Sequence, residues 1–227
     1  MDSQTGSAAN RYSLSQQVRN YILHKVGTGE IAPGDQLVEA RIAEELKVST
    51  IPVREAIREL AAMRVLEYRV HRGARVREVT VSETVDALHV KAVLESLAAR
   101  LADGKLTTVL GELKERSMQI QQAAQKRNWV DYQEQNQVFH RLIVEASGNQ
   151  ILLSLWDNLA FDVRTRFIMD FLRIVDATEL AREHEKILQA VTSGDTARVA
   201  ELLSSHANDL VEYLLQQKAA NNSTGGS

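Results

Sequence analysis

The stretch AEELKVSTIPVREAIREL, residues 43–60, decides the fold. Two short amphipathic runs, residues 43–46 and 53–60, lie on either side of Lys47-Val48-Ser49-Thr50. Pro52 fits only the first turn of a helix, where its missing N–H is not needed, and Ser49 and Thr50 offer side-chain oxygens to the open amides there. A helix therefore begins near Thr50. On it Val53, Ile57 and Leu60 share one face, while Arg54 and Arg58 share another with Thr50 one turn earlier. The expectation is a bent helix pair with an apolar inner face and guanidinium groups directed outward.

Working upstream, Leu14, Val18, Tyr21, Ile22 and Val26 recur at helical spacing, and Gly27 and Gly29 end that helix. IAPGDQL follows as a turn punctuated by Pro33-Gly34. Ala40, Ile42, Ala43 and Leu46 make the short second helix. Downstream, VLEYRVHRGARVREV (residues 65–79) alternates at Leu66, Tyr68 and Val70, turns at Arg72-Gly73, and resumes the period of two at Ala74, Val76 and Glu78. That pattern predicts a hairpin with a basic tip.

Three small helices followed by a hairpin is the order of a winged-helix DNA-binding domain. A helix fits the major groove with its leading residues at the base edges, and surrounding cations neutralise phosphates. The groove-facing set is Thr50, Arg54 and Arg58, with Arg41 on the preceding helix. Arg64, Arg69, Arg75 and Arg77 add charge beside them, and His71, Arg72 and Gly73 form a wing tip suited to a narrow minor groove. Arginines four residues apart are usually only a solvated face. It is their order, with Pro52 before and the basic wing after, that is specific.

The run PGDQLVEARIAEELKVSTIPVREAIRELAAMRVLEYRVHRGARV (residues 33–76) resembles the N-terminal domain of the GntR family of bacterial transcription regulators, and the resemblance extends over residues 13–78. It implies sequence-specific binding to double-stranded DNA. The family usually places arginine directly after the serine that precedes Pro-Val-Arg. Thr50 stands there in this chain, so one guanine-reading side chain is lost.

Composition agrees with two functional halves. The 227 residues carry a net charge of −3, yet residues 1–78 hold 12 Lys+Arg against 10 Asp+Glu, and residues 79–227 hold 15 against 20. With no cysteine, disulfide and thiolate chemistry are excluded. No apolar run has the length of a membrane span, so no membrane partner is expected and a cytoplasmic location is. Residues 1–12 read as a disordered arm and 219–227 as a disordered tail, leaving 13–78 and 79–218 as domains.

Residues 80–218 read as helix after helix, near 82–103, 106–126, 128–147, 149–170, 177–193 and 196–217. Breaks fall at Asp103-Gly104, Ser147-Gly148-Asn149 and Ser193-Gly194-Asp195. Each helix bears an apolar stripe, so the fold class is mainly α: an N-terminal winged helix-turn-helix with a β-hairpin wing, then an all-α antiparallel helical bundle. Three histidines lie on those stripes. His184 shares a face with Leu180, Ile187, Leu188 and Val191; His206 lies between Leu202 or Leu203 and Leu210; His140 follows Asn136 by one turn. A lone histidine on an apolar face is more often a hydrogen-bonded core residue than a ligand. Three from separate helices favour convergence, and imidazoles suit zinc or nickel.

NQVFHRLIVEASGNQIL (residues 136–152), REHEKILQAVTSGD (182–195) and SSHANDLVEYL (204–214) resemble the signature segments of the FCD domain, the helical effector domain of FadR-type GntR regulators. The resemblance implies a divalent metal held by an aspartate and three histidines, with a small carboxylate effector completing the shell. Asn136 occupies the aspartate position and brings no charge. The family also tends to place an arginine four residues before a glutamate near the effector. Lys91 with Glu95 takes that place here, or else forms a solvent-exposed pair. Asn149, Arg164 and Arg166 are further polar candidates for the effector.

The reading that follows is a homodimeric regulator on a palindromic operator, most simply a repressor, and not an enzyme. Two copies are needed because one winged helix reads only a few base pairs. The alternative is a metal-dependent hydrolase at His140, His184 and His206. It lacks an obvious general base, because Glu183 and Glu185 flank His184 and are expected to point away from its face.

Overall fold

A computed structural model describes residues 13–69, 73–159 and 177–224. The chain divides into two compact units, residues 1–78 and 79–227. In the first, α1 (Leu14–Thr28) starts at Ser13, which exchanges hydrogen bonds with Gln16 in a capping box. Its C-cap is Gly29; Gly27 lies inside the helix. Next come β1 (Gln36–Leu37), α2 (Glu39–Leu46), α3 (Thr50–Ala62), β2 (Leu66–Arg69) and β3 (Gly73–Val76).

Lys47 takes a left-handed φ of 55° and ends α2, so the chain can turn at once into α3. Pro52 is buried in the first turn of α3, as its chemistry requires. Ser49 has the extended backbone of a cap, but its hydroxyl makes no capping bond to the open amides. Val18, Ile22 and Val26 of α1 are buried together with Val53, Ile57 and Leu60 of α3, and α1 packs on α3. Each fully buried aliphatic side chain contributes about 1.5–3 kcal/mol relative to exposure.

The wing is the expected hairpin, with Leu66 opposite Val76 and Arg69 opposite Gly73. Gly73 has φ +71°, a conformation that side chains disfavour. Leu66, Ala74 and Val76 all face inward. A third strand was not anticipated: Gln36 and Leu37, read as part of a turn, pair antiparallel with β3, giving the order β1-β3-β2. Two residues are too few to show a period of two, so only the partner strand reveals them.

The second unit is the antiparallel bundle. It comprises α4 (Val81–Ala102), a short 3-10 helix (Lys105–Val109), α5 (Leu110–Gln125), α6 (Trp129–Ala146), α7 (Gln150–Asn158), α8 (Ala177–Ser193) and α9 (Thr196–Thr224). Capping boxes and Asn caps start these helices where expected: Thr80 with Glu83 at α4, Asn128 at α6, Asn149 at α7. Gly194, at φ +73°, lets α8 stop and α9 begin.

Two differences from expectation have physical causes. The helix expected over 106–126 is split at Val109, where the Thr107 and Thr108 hydroxyls donate to the carbonyls of Gly104 and Lys105 and tighten the turn. The last helix runs past Lys218 to Thr224, because no glycine or proline interrupts it before Gly225, so most of the expected tail is helical. The helix expected over 149–170 is seen as α7; its later part lies outside the described residues.

α9 packs along α4, α5 packs on α6 and α8, and α6 also meets α4. Their shared core includes Leu88, Leu113, Ile120, Phe139, Ile143, Ile187, Val199 and Leu203. This core places histidines from α6, α8 and α9 side by side.

Candidate functional site

In the first unit, Thr50, Arg54 and Arg58 are all exposed along one face of α3, and Arg41 is exposed on α2. Arg54 donates through Nε and Nη2, at 3.0 and 2.8 Å, to one carboxylate oxygen of Glu39. That pair ties the first turn of α2 to α3 and orients the guanidinium. Two other cations turn back to the fold: Arg75 donates to the Gly34 carbonyl at 3.5 Å and Arg77 to the Arg64 carbonyl at 3.2 Å. Gly73 opens β3, while His71 and Arg72 lie outside the described residues.

In the second unit, His140 and His184 are fully buried and His206 is nearly so. Their ring centroids are 5.5, 5.2 and 4.8 Å apart, taken as His140–His184, His140–His206 and His184–His206. One ligand atom from each ring lies within 4.8 Å of the other two. Phe139 stands edge-on to His140 and His184 and closes one side with apolar surface.

The second nitrogen of each ring fixes how the cluster presents itself. His184 Nδ1 is 3.2 Å from the Leu180 carbonyl, and a proton held there leaves the Nε2 lone pair for a metal. His206 Nδ1 meets the Glu183 carboxylate. His140 Nδ1 is 2.9 Å from Glu95 Oε2, but off the line of a hydrogen bond, and neither nitrogen of His140 has an aligned partner. Two rings thus hydrogen-bond through Nδ1 to an acceptor, the usual outer arrangement of metal-binding histidines, and the third sets its Nδ1 beside a carboxylate.

Asn136 joins them directly, its Oδ1 2.7 Å from His184 Nε2. Burial pushes His140 down to about 4, against the pull of the Glu95 carboxylate. Burial, with the neighbouring His206 and His140, holds His184 well below the ordinary imidazole value. Three converging imidazoles, an unpartnered His140 Nε2 and an amide oxygen form a donor set that fits a borderline divalent metal such as zinc or nickel.

Beside the cluster lies a buried charged network. Lys91 Nζ is 2.7 and 2.8 Å from the two oxygens of Glu95, and Trp156 Nε1 donates to Glu95 Oε1 at 2.8 Å. The pair is therefore not the solvent-exposed one of the alternative reading: Lys91 is 5% exposed and Glu95 0%. Burial alone would raise the Glu95 carboxyl, but the adjacent His140 and the Lys91 ammonium, which donates to it, hold it below the usual range.

Glu183 has a partner that the reading of its own helix did not supply. It does point away from the face of His184, but it thereby reaches His206 on the next helix. Nothing in the spacing of α8 shows this, because the partner comes from α9. Glu95 had a signal: it shares a stripe with the buried Leu88, Ala92, Ala99 and Ala102. Asn149 caps α7, its Oδ1 accepting from Ile151 and Leu152 at 3.1 Å. Arg164 and Arg166 lie outside the described residues.

Comparison with known proteins agrees with both units. Residues 14–76 match the family described as bacterial regulatory proteins, gntR family, and residues 86–209 match the FCD domain. The "Probable D-xylose utilization operon transcriptional repressor" of Paenarthrobacter nicotinovorans is 31% identical over 89% of this chain and 89% of its own length. The HTH-type transcriptional repressor RspR of Escherichia coli K12 is 24% identical over 92% of each. Among solved structures, E. coli McbR/YncC aligns with TM-score 0.78 and 25% identity over 91% of this chain and 99% of its own. No helix among the described residues is long and apolar enough to cross a membrane. With a winged helix-turn-helix of gntR type and a helical FCD domain, the chain belongs to the GntR family of bacterial DNA-binding transcriptional regulators.

Proposed function

We propose that this regulator is a ligand-responsive repressor, a homodimer whose grip on a palindromic operator is set by a small carboxylate bound beside a divalent metal. The observation that supports it most is the convergence of the three imidazoles, each with Nδ1 toward an acceptor, one ligand atom of each within 4.8 Å of the other two, and His140 Nε2 without a hydrogen-bond partner. His140, His184 and His206 hold the metal, zinc or nickel, with Asn136 as a neutral fourth ligand. The bound metal supplies positive charge in a dry site for an anionic effector.

This chain's own residues do the rest. Leu180, Glu183 and Glu95 hold the rings in register. Lys91 offers an ammonium, but only in competition with Glu95, so an incoming carboxylate gains from it by displacing part of that pair. At the DNA, Arg54 and Arg58 read base edges and Thr50 leaves one position less strictly read. Arg41, His71, Arg72 and Gly73 meet the backbone and minor groove, and Asn149, Arg164 and Arg166 remain assigned to the effector.

The hydrolase alternative has no support from the relatives, which are transcriptional repressors. Both nearby carboxylates are engaged, Glu183 by His206 and Glu95 by Lys91, Trp156 and His140.

Elemental and mass analysis of gently purified protein tests the reading, followed by gel-shift titration with the small molecule so identified. The expected result is about one zinc or nickel per chain, and an acid whose addition changes operator affinity. Protein that stays metal-free after zinc and nickel titration, yet responds to its effector, would end the metal reading and leave the DNA reading standing.

A further inference from the structure

Ile51, the second residue of α3, is 64% exposed, although Pro52, Val53, Ala56, Ile57 and Leu60 of the same helix are all buried. Among the described residues of α3 it is the one large aliphatic side chain left in solvent. Thr50 precedes it, and Arg54, Glu55 and Arg58 follow three, four and seven residues on, the steps that keep side chains on one face of a helix. All four of these neighbours are exposed, and all are polar or charged.

That company identifies what covers the side chain. A single isoleucine among charged groups is too small a patch to dock a protein surface. It stands instead where the leading residues of a groove-binding helix meet base edges, beside guanidinium groups that draw the helix to phosphate. An aliphatic side chain neither donates nor accepts a hydrogen bond, so it gains nothing from a phosphate or from the polar edge of a base. The apolar group that DNA displays in the major groove is the C5-methyl of thymine. Contact with it removes two apolar surfaces from water, whereas cytosine in the same place would set its N4 amino donor beside a side chain that cannot accept.

We propose that Ile51 is a specificity-determining residue that reads a thymine methyl group in the major groove. The A·T pair it selects lies within about two base pairs of the base met by Arg54, since three residues advance a helix about 4.5 Å and bases along a strand step about 3.4 Å. The inference rests on the placing of α3 in the groove and adds the base that its aliphatic residue selects.

The test begins with the site that the full chain selects from a pool of random duplexes. Each thymine of that site, with its symmetry copy, is then replaced by deoxyuridine, which lacks only the C5-methyl. At one position the replacement should weaken wild-type binding about tenfold, for one buried methyl lost per half-site. Ile51→Ala should weaken binding to the thymine duplex by a similar factor and lose nothing further on the uracil duplex, because both changes remove the same contact. Its circular dichroism spectrum should match that of wild type, since the side chain lies outside the core. A selected site without thymine, indifference to every uracil, or losses from Ile51→Ala and uracil that multiply, overturns the inference. If Arg54→Ala loses specific binding all the same, α3 stays in the groove and only the role of Ile51 falls. If Arg54→Ala and Arg58→Ala bind as wild type does, or the chain selects no duplex, the groove placement falls and the inference with it.

Discussion

Asn136 Oδ1 stands 2.7 Å from His184 Nε2, while the Leu180 carbonyl stands 3.2 Å from Nδ1, so the one proton of the neutral ring serves only one of two acceptors. With the proton on Nδ1, two lone pairs face each other between α6 and α8. A cation between them, or an amide turned to donate, removes the conflict. The family aspartate would meet the same demand with a charge.

Asn136→Asp should therefore tighten zinc binding at least about tenfold, a modest fraction of the Coulomb energy of opposite charges a few ångströms apart. Isothermal titration with zinc at neutral pH measures it. An unchanged or weaker affinity would remove Asn136 from the ligand set.

Glu183 acts one layer out. Its carboxylate holds the Nδ1 proton of His206, so Glu183→Gln should weaken metal affinity about 10–100-fold without altering operator binding by the metal-free protein. If chelator competition shows equal affinities for the two proteins, the contact is only structural.

Replacing Arg54 or Arg58 with alanine should cost about 1–3 kcal/mol of specific DNA binding each. Both are exposed, and the Glu39 pair lost with Arg54 is partly exposed, so melting should shift by less than about 1 kcal/mol of stability. Retained operator affinity in both variants, in a gel-shift titration, would refute the assignment of α3 to the groove.

The Lys91–Glu95 pair makes the opposite kind of prediction. Glu95→Gln leaves a buried ammonium without its counter-charge and should destabilise the protein by about 3–5 kcal/mol, whereas Lys91→Met combined with Glu95→Gln should cost less than Glu95→Gln alone. The Trp156 N–H still finds an acceptor in the double variant. Urea unfolding of the three proteins decides it, and a double variant less stable than Glu95→Gln counts against the pair.

The metal-free chain should lose stability in acid. His140 is held at about 4, and His184 well below its unfolded value of 6.5, so between those limits the unfolded chain binds more protons than the folded one. Stability is full above about pH 6.5 and falls as pH drops toward 4, by up to about 1.4 kcal/mol per pH unit for each ring. Urea midpoints in chelator at pH 7.5 and 5 check the direction; a midpoint that holds or rises at pH 5 contradicts it.

Much of this architecture was legible because its signals are local. Pro52 after Ser49-Thr50 can only start a helix, and the apolar spacing of α1 and α3 leaves one face to bury and the arginines outside. The bundle is read the same way, from stripes broken at Gly104, Gly148 and Gly194. Even the three histidines were visible as polar residues on apolar faces, which must be paired or ligated.

What the sequence by itself could not determine lies between elements distant along the chain. β1 exists only because β3 pairs with it, and its two residues carry no periodicity of their own. Whether Lys91 and Glu95 were a solvated pair or a buried one depended on α6 and α7 covering that turn of α4 with His140 and Trp156. The role of Glu183 follows from a side chain on the following helix, since a residue that leaves one face of a helix must arrive at another neighbour in a closed bundle. Helical periodicity states which way a side chain points from its own axis; only packing decides what it meets there.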